Sequence, residues 1–156
     1  MAVIRPSYLA SLDKIEDNGH WRFGCQLDYI KAFGFVYLIR MNSTGLKYIG
    51  RKNFRTQSKY KSKHGLQTNW RSYTSSSKDL NALIDANGTQ DFSFFVLEQY
   101  YTSGAVGYAE TWSQMVAETP SNQDKWLNRM IEKVCWKSTE PISERHKKRL
   151  EWLIKN

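Results

Sequence analysis

A chain of 156 residues has the length of one ordinary domain and can bury a core without disulfide or metal staples. With 40% hydrophobic and 24% charged residues and no apolar run longer than residues 33–39, it excludes a membrane-spanning helix and reads as a soluble protein. The formal net charge of +8 points to an acidic partner.

Residues 1–32 read as an N-terminal extension, with a short helix over 11–16 and a polar turn at Asp17-Asn18-Gly19. Asp13, Glu16 and Asp17 arrive before any apolar block forms, so no secretory signal is expected and the expected location is the cytoplasm. The two cysteines, Cys25 and Cys135, and the three histidines, His20, His64 and His146, lack the spacing of a zinc site. The cysteines read as inert, half-buried thiols.

A β-branched and aromatic run over 34–40, the turn Asn42-Ser43-Thr44-Gly45 and a second run over 46–49 predict a β-hairpin. Residues 51–74 are basic and irregular, suggesting a loop with short helical pieces. Ser77 then caps a helix that closes at Asn87-Gly88, with Leu80, Leu83 and Ile84 on one face. A near-continuous apolar run over 92–97 predicts a third strand covered on both faces.

Ala105, Val106, Ala109, Trp112 and Val116 make the stripe of a helix over 104–118, with Glu110 at its edge and Pro120 as its stop. Ser121-x-x-Asp124 reads as a capping box opening another helix, which carries Trp126, Leu127, Met130, Ile131 and Val134. A last helix follows Pro141, capped by Ser143, with Leu150, Leu153 and Ile154 buried. The expected fold is therefore α/β: a small three-stranded antiparallel or mixed sheet flanked by helices, over residues 33–137, with 138–156 a C-terminal basic helix.

The charge is not evenly spread. Residues 29–78 contain no Asp or Glu but eleven cations: Lys31, Arg40, Lys47, Arg51, Lys52, Arg55, Lys59, Lys61, Lys63, Arg71 and Lys78. Solvated faces normally mix both signs, so this stretch is expected to face a polyanion.

Within it stand two short motifs, Gly34-Phe35-Val36-Tyr37 and Lys47-Tyr48-Ile49-Gly50, which put two tyrosines eleven residues apart on neighbouring strands. Here the chain resembles the GIY-YIG nucleases. The second motif matches that family's name letter for letter and the first is a relaxed form of it. The order that follows, a basic region, a helix, a third strand and a helix bearing a glutamate, is also similar, and the resemblance spans residues 33–130.

The resemblance implies an endonuclease acting on double-stranded DNA by one-step, metal-assisted hydrolysis that leaves a 5′-phosphate and a 3′-hydroxyl. It implies a tyrosine of the hairpin as general base. Tyr48 is favoured, because Lys47, Arg51 and Lys52 flank it and a phenol with a free pKa of roughly 10 needs positive neighbours to act as a base; Tyr37 then positions the water or the phosphate. The family arginine would fall at Ser58, so Arg51 and then Arg71 are the candidates to bind two phosphate oxygens at once.

His64 is placed near the scissile phosphate, and Asn128 as a residue bracing the site. Glu110 is the expected metal ligand, with Glu98 and Glu118 as rivals. One carboxylate with water and phosphate oxygens suits Mg²⁺, or Mn²⁺. Lys47, Lys52, Arg55, Lys59, Lys61 and Lys63 are expected on the DNA backbone. The alternative reading is a non-catalytic, regulatory nucleic-acid-binding module on the same scaffold. Small size favours a free-standing enzyme of the kind bacteriophages often carry, which would act in a host's cytoplasm.

Overall fold

The structure, a computed structural model, describes residues 18–22, 27–57, 65–131 and 140–156. In chain order it contains β1 (Trp21–Arg22), β2 (Gly34–Met41), β3 (Lys47–Asn53), α1 (Lys78–Asn87), β4 (Phe92–Tyr100), α2 (Ser103–Val116) and α3 (Glu144–Lys155). Among these residues no helix is long and apolar enough to cross a membrane.

The expected hairpin forms as β2 and β3, with Tyr37 opposite Gly50 and Arg40 opposite Lys47. Gly34 is required there because a Cβ would press into the backbone of Lys52. Among the described residues the sheet has four strands in the order β1-β4-β2-β3, one more than the sequence suggested. The extra strand is Trp21–Arg22, parallel to β4. Two residues offer no alternation to read; Trp21 is held instead by its ring, fully buried, with its indole N–H donating to the Trp70 carbonyl at 2.5 Å.

Both faces of the sheet are covered, which is why β2 and β4 are apolar almost throughout. On one face Val36, Leu38, Ile49, Phe95 and Leu97 pack against Val106 and Ala109 of α2 and Leu150 and Leu153 of α3. On the other, Phe35, Tyr37, Ile39, Phe94 and Val96 pack against Trp70 and against Leu80 and Ile84 of α1. Helix starts follow local chemistry: Ser77, Thr102 and Ser143 each accept a backbone N–H of the first turn.

The helix expected after Ser121 is absent across the described residues up to Ile131; Val134 lies outside them. Ser121 donates to the Glu118 carbonyl instead of capping, and Lys47 N–H donates to Lys125 O while Leu127 N–H donates to Lys47 O. The segment pairs with the open edge of β3, whose unpaired N–H and C=O groups outweigh the segment's helical spacing. Cys25, Cys135, Ser58, His64, Lys59, Lys61, Lys63 and the helix expected over 11–16 also lie outside the described residues.

Under α3 sits a polar network. A bulge in β4 sets Val36 opposite Glu98 and Tyr37 opposite Val96, and the buried Arg149 guanidinium donates to both Val96 O at 3.2 Å and Leu97 O at 3.1 Å. Buried His146 joins three elements: the Tyr100 hydroxyl donates to its Nδ1 (2.9 Å), its Nε2–H donates to Ser113 Oγ (2.6 Å), and Ser113 Oγ–H donates to Ala109 O (2.6 Å).

Burial, helped by the Arg149 charge, pulls His146 down to about 3. In the unfolded chain it protonates near pH 6.5, so the stability it lends as a neutral ring is present above that pH and is lost as pH falls toward 3. Urea midpoints are therefore expected to drop between pH 7 and 5, above most carboxylate titrations, and the drop should flatten in a His146→Gln variant. An equal slope in both proteins would refute a buried neutral ring.

Candidate active site

The site forms where β3, the outer strand, meets α2. Ile49 turns its backbone away from β2, and the buried Asn128 side chain clasps it: Asn128 Oδ1 accepts Ile49 N–H at 2.9 Å and Asn128 Nδ2 donates to Ile49 O at 2.7 Å. Gln114 of α2, also buried, donates to the same carbonyl at 3.1 Å. Three segments are thus tied at one residue, Ile49, and β3 leaves that clasp at Gly50 and Arg51.

Gly50 has a steric duty. A Cβ there would overlap the Tyr37 hydroxyl and crowd the Tyr48 ring, so glycine lets Tyr37 cross from β2 toward the cleft. The Tyr37 and Tyr48 rings lie 6.4 Å apart between centroids at 31°. Tyr37 is only 1% exposed. Burial first, then Tyr48, Tyr73 and Glu110, pushes its hydroxyl well above the ordinary phenol range, so it stays a proton donor. Tyr48 is half-buried.

Glu110 comes from α2. Arg51 Nε lies 3.3 Å from its Oε2, and Gly107, one turn earlier, makes the approach possible, since a Cβ there would sit 3.1 Å from Arg51 NH1. Gln114 Nε2, four residues on, is 3.5 Å from Glu110 Oε1. These groups line a cleft of about 440 Å³ that also takes in Ser76, Ser77 and Asp79 at the start of α1, with Thr111, Asn128, Arg129 and Met130. Asp79 is ion-paired with Arg129 at 2.9 Å.

Of the expected residues, Tyr37, Tyr48, Arg51, Glu110 and Asn128 line this cleft. Arg71 does not. Its guanidinium stacks on Trp70 at 4.3 Å and Tyr29 at 4.9 Å and bonds Gln67. Arg55 donates to Gly65 O at 2.9 Å. Lys52 lies 4.0 Å over the Tyr73 ring, and burial lowers its pKa. Lys47 is largely buried, its Nζ donating to Gly45 O at 3.3 Å.

Among the rival carboxylates, Glu98 is held by Arg145 at 2.7 Å and accepts from Ser143 and the Gln99 amide. Glu118 sits exposed after α2 at a φ of 53°. The sequence reading missed Gln114, although its spacing from Glu110 on one helix was there to be read. It also missed Asp79 and Arg129, which only the packing of α1 beside residues 127–130 brings into the cleft.

A family model described as "Putative endonuclease segE, GIY-YIG domain" matches residues 21–131, well over half of the chain. The chain belongs to the GIY-YIG family. No curated protein and no solved structure matches it. The GIY-YIG match begins at Trp21, the first residue of β1, and runs through the clasp at Asn128.

Asn128→Ala would leave a buried backbone pair under-satisfied, and such a group costs about 1–3 kcal/mol. Urea unfolding of this variant should show a loss of that size. A loss below about 0.5 kcal/mol would mean that the clasp does not hold β3.

Proposed function

We propose that this GIY-YIG protein is a divalent-metal-dependent endonuclease that hydrolyses phosphodiester bonds of double-stranded DNA. The observation that carries the reading is the convergence, in one cleft, of two hairpin tyrosines, the Arg51 guanidinium and the Glu110 carboxylate. A nucleic-acid substrate also suits a net charge of +8.

Phosphodiester hydrolysis needs a water stripped of a proton, relief for charge on the phosphate oxygens, and help for the leaving oxygen. Tyr48 faces the cleft and, as the phenolate, takes the proton of the attacking water. Arg51, which lines the same cleft, favours that ionised form. Tyr37, held protonated, donates a hydrogen bond to the phosphate or the water. Arg51 binds two phosphate oxygens as their charge grows. Water attacks phosphorus as Tyr48 takes its proton, the P–O3′ bond breaks, the departing O3′ takes a proton from solvent water, and the products are a 5′-phosphate and a 3′-hydroxyl.

The donor set suits Mg²⁺ or Mn²⁺. Among the described residues no three His, Cys, Asp or Glu gather in one place, so Glu110 would be a lone protein ligand to an ion that keeps most of its water and takes phosphate oxygens. Such an ion supplies charge relief to the phosphate and acidifies bound water. The Arg51–Glu110 pair is 33% and 23% exposed at its side chains, and a pair this open contributes roughly 0–1 kcal/mol. It can be exchanged at little cost, Arg51 for phosphate and Glu110 for the cation.

Purified protein should nick supercoiled plasmid with Mg²⁺ or Mn²⁺ and stop on chelation. Glu110→Gln and Arg51→Ala are each expected to lower the rate by about 10²–10³-fold, the scale of a lost charge-stabilising group. Tyr48→Phe should lose about 10²–10⁴-fold, the scale of a general base. Intact plasmid with wild type under either cation would sink the proposal. Full activity of Tyr48→Phe would sink the choice of base.

A further inference from the structure

A second cationic feature lies apart from the cleft. Reading across the strands, Arg22 of β1 pairs with Phe95 of β4, Phe95 pairs with Leu38 of β2, Arg40 two residues on pairs with Lys47 of β3, and Lys47 bridges to Trp126 beside Lys125. Residues paired across a sheet share a face, so Arg22, Arg40 and Lys47 stand on the α2 and α3 face, in a row from one edge to the other.

Aromatic rings support the row. The guanidinium carbons of Arg22 and Arg40 lie 5.8 and 5.3 Å from the Phe95 centroid, and Lys47 Nζ lies 6.0 Å from that of Trp126. None of the four cations has an ion pair among the described residues. Asp91, which directly precedes β4, is engaged by Ser43, whose N–H donates to it at 3.0 Å and whose Oγ–H donates at 2.5 Å. The charges feel one another: burial lowers the pKa of Arg40, with Arg22 adding to it, and lowers that of Lys47, with Arg40 and Lys125 adding. Like charges gathered on a partly dry surface destabilise a fold unless something anionic covers them.

We propose that Arg22, Arg40 and Lys125, with the buried Lys47 adding its charge from beneath, form a second nucleic-acid contact that grips phosphates of the duplex whose scissile bond lies in the cleft. The inference rests on the nuclease reading above. Lys47 and Arg51 are four residues apart on β3, roughly 13 Å, well inside the roughly 34 Å of one duplex turn. One duplex can therefore meet both. Phosphate contacts fix affinity and register and carry no sequence information, so the row adds grip rather than sequence choice.

The test uses the full chain carrying Glu110→Gln, binding a radiolabelled duplex of about two turns across a salt series, with and without Arg22→Gln, Arg40→Gln and Lys125→Gln together. Each lost phosphate contact lowers the slope of log affinity against log salt by about 0.9. The triple variant should lose roughly two to three units of slope, and an Arg22→Lys, Arg40→Lys variant should keep the slope. Thermal melting checks the fold, and the triple variant should melt no lower, since it relieves like-charge repulsion.

An unchanged slope in the folded triple variant overturns the row even if wild type cuts plasmid. If the triple variant melts lower, single Arg22→Gln and Lys125→Gln variants, both at exposed positions, decide: slope lost in each supports the row, and slope kept overturns it. Row-dependent binding by a wild-type protein that never nicks plasmid would keep the row and remove the nuclease reading.

Discussion

The site depends on the two outward-facing backbone groups of one residue. Ile49 turns its N–H and C=O to the outer edge of β3, and an open edge must be paired, covered or solvated. Here Asn128 takes both groups and Gln114 adds a second donor to the carbonyl. That clasp fixes the distance between β3 and α2, the distance on which the Arg51–Glu110 contact depends. It also ends the edge pairing of residues 125–128, so the backbone beyond Ile49 opens into the cleft. The hairpin alone would present its tyrosines without a carboxylate.

Glu110 is held from behind as well. Ala109 and Ser113 lie on either side of it along α2, and both belong to the hydrogen-bond chain through His146 to Tyr100. α3 is anchored in turn by Arg149 in the β4 bulge and by Arg145 on Glu98. Both ring nitrogens of His146 have partners, and a buried polar network that joins three elements specifies one arrangement of helix on sheet. A C-terminal helix without a residue in the cleft thereby sets the orientation of the helix that has one.

The cations divide by environment. Arg51 stands in the cleft against a carboxylate. Arg71 and Lys52 lie on aromatic rings, and Arg22, Arg40 and Lys47 cross the sheet above Phe95 and Trp126. Guanidinium and ammonium groups over aromatic faces keep their charge while covering apolar surface. A run of positive residues in sequence thus becomes separate features, because alternate residues of a strand point to opposite faces and neighbouring strands add their own.

Much of the cleft was legible in the sequence. Alternation and turn residues marked the hairpin, Ser77 and Gly88 marked α1, and the apolar stripe around Glu110 marked α2. These signals come from neighbours in the chain, so sequence alone determined them, together with the tyrosine pair and the excess of positive charge. What lay beyond was decided at long range. Residues 121–131 carry helical spacing, yet 125–128 lie along β3, because an unpaired strand edge offers them hydrogen bonds that the chain does not show. Trp21–Arg22 joins the sheet through a ring buried against Trp70. Arg51 rather than Arg71 faces Glu110 because Trp70 and Tyr29 hold the Arg71 guanidinium elsewhere. Local pattern sets which element a residue enters, but which side chains meet follows from edges and faces that exist only once the sheet is assembled.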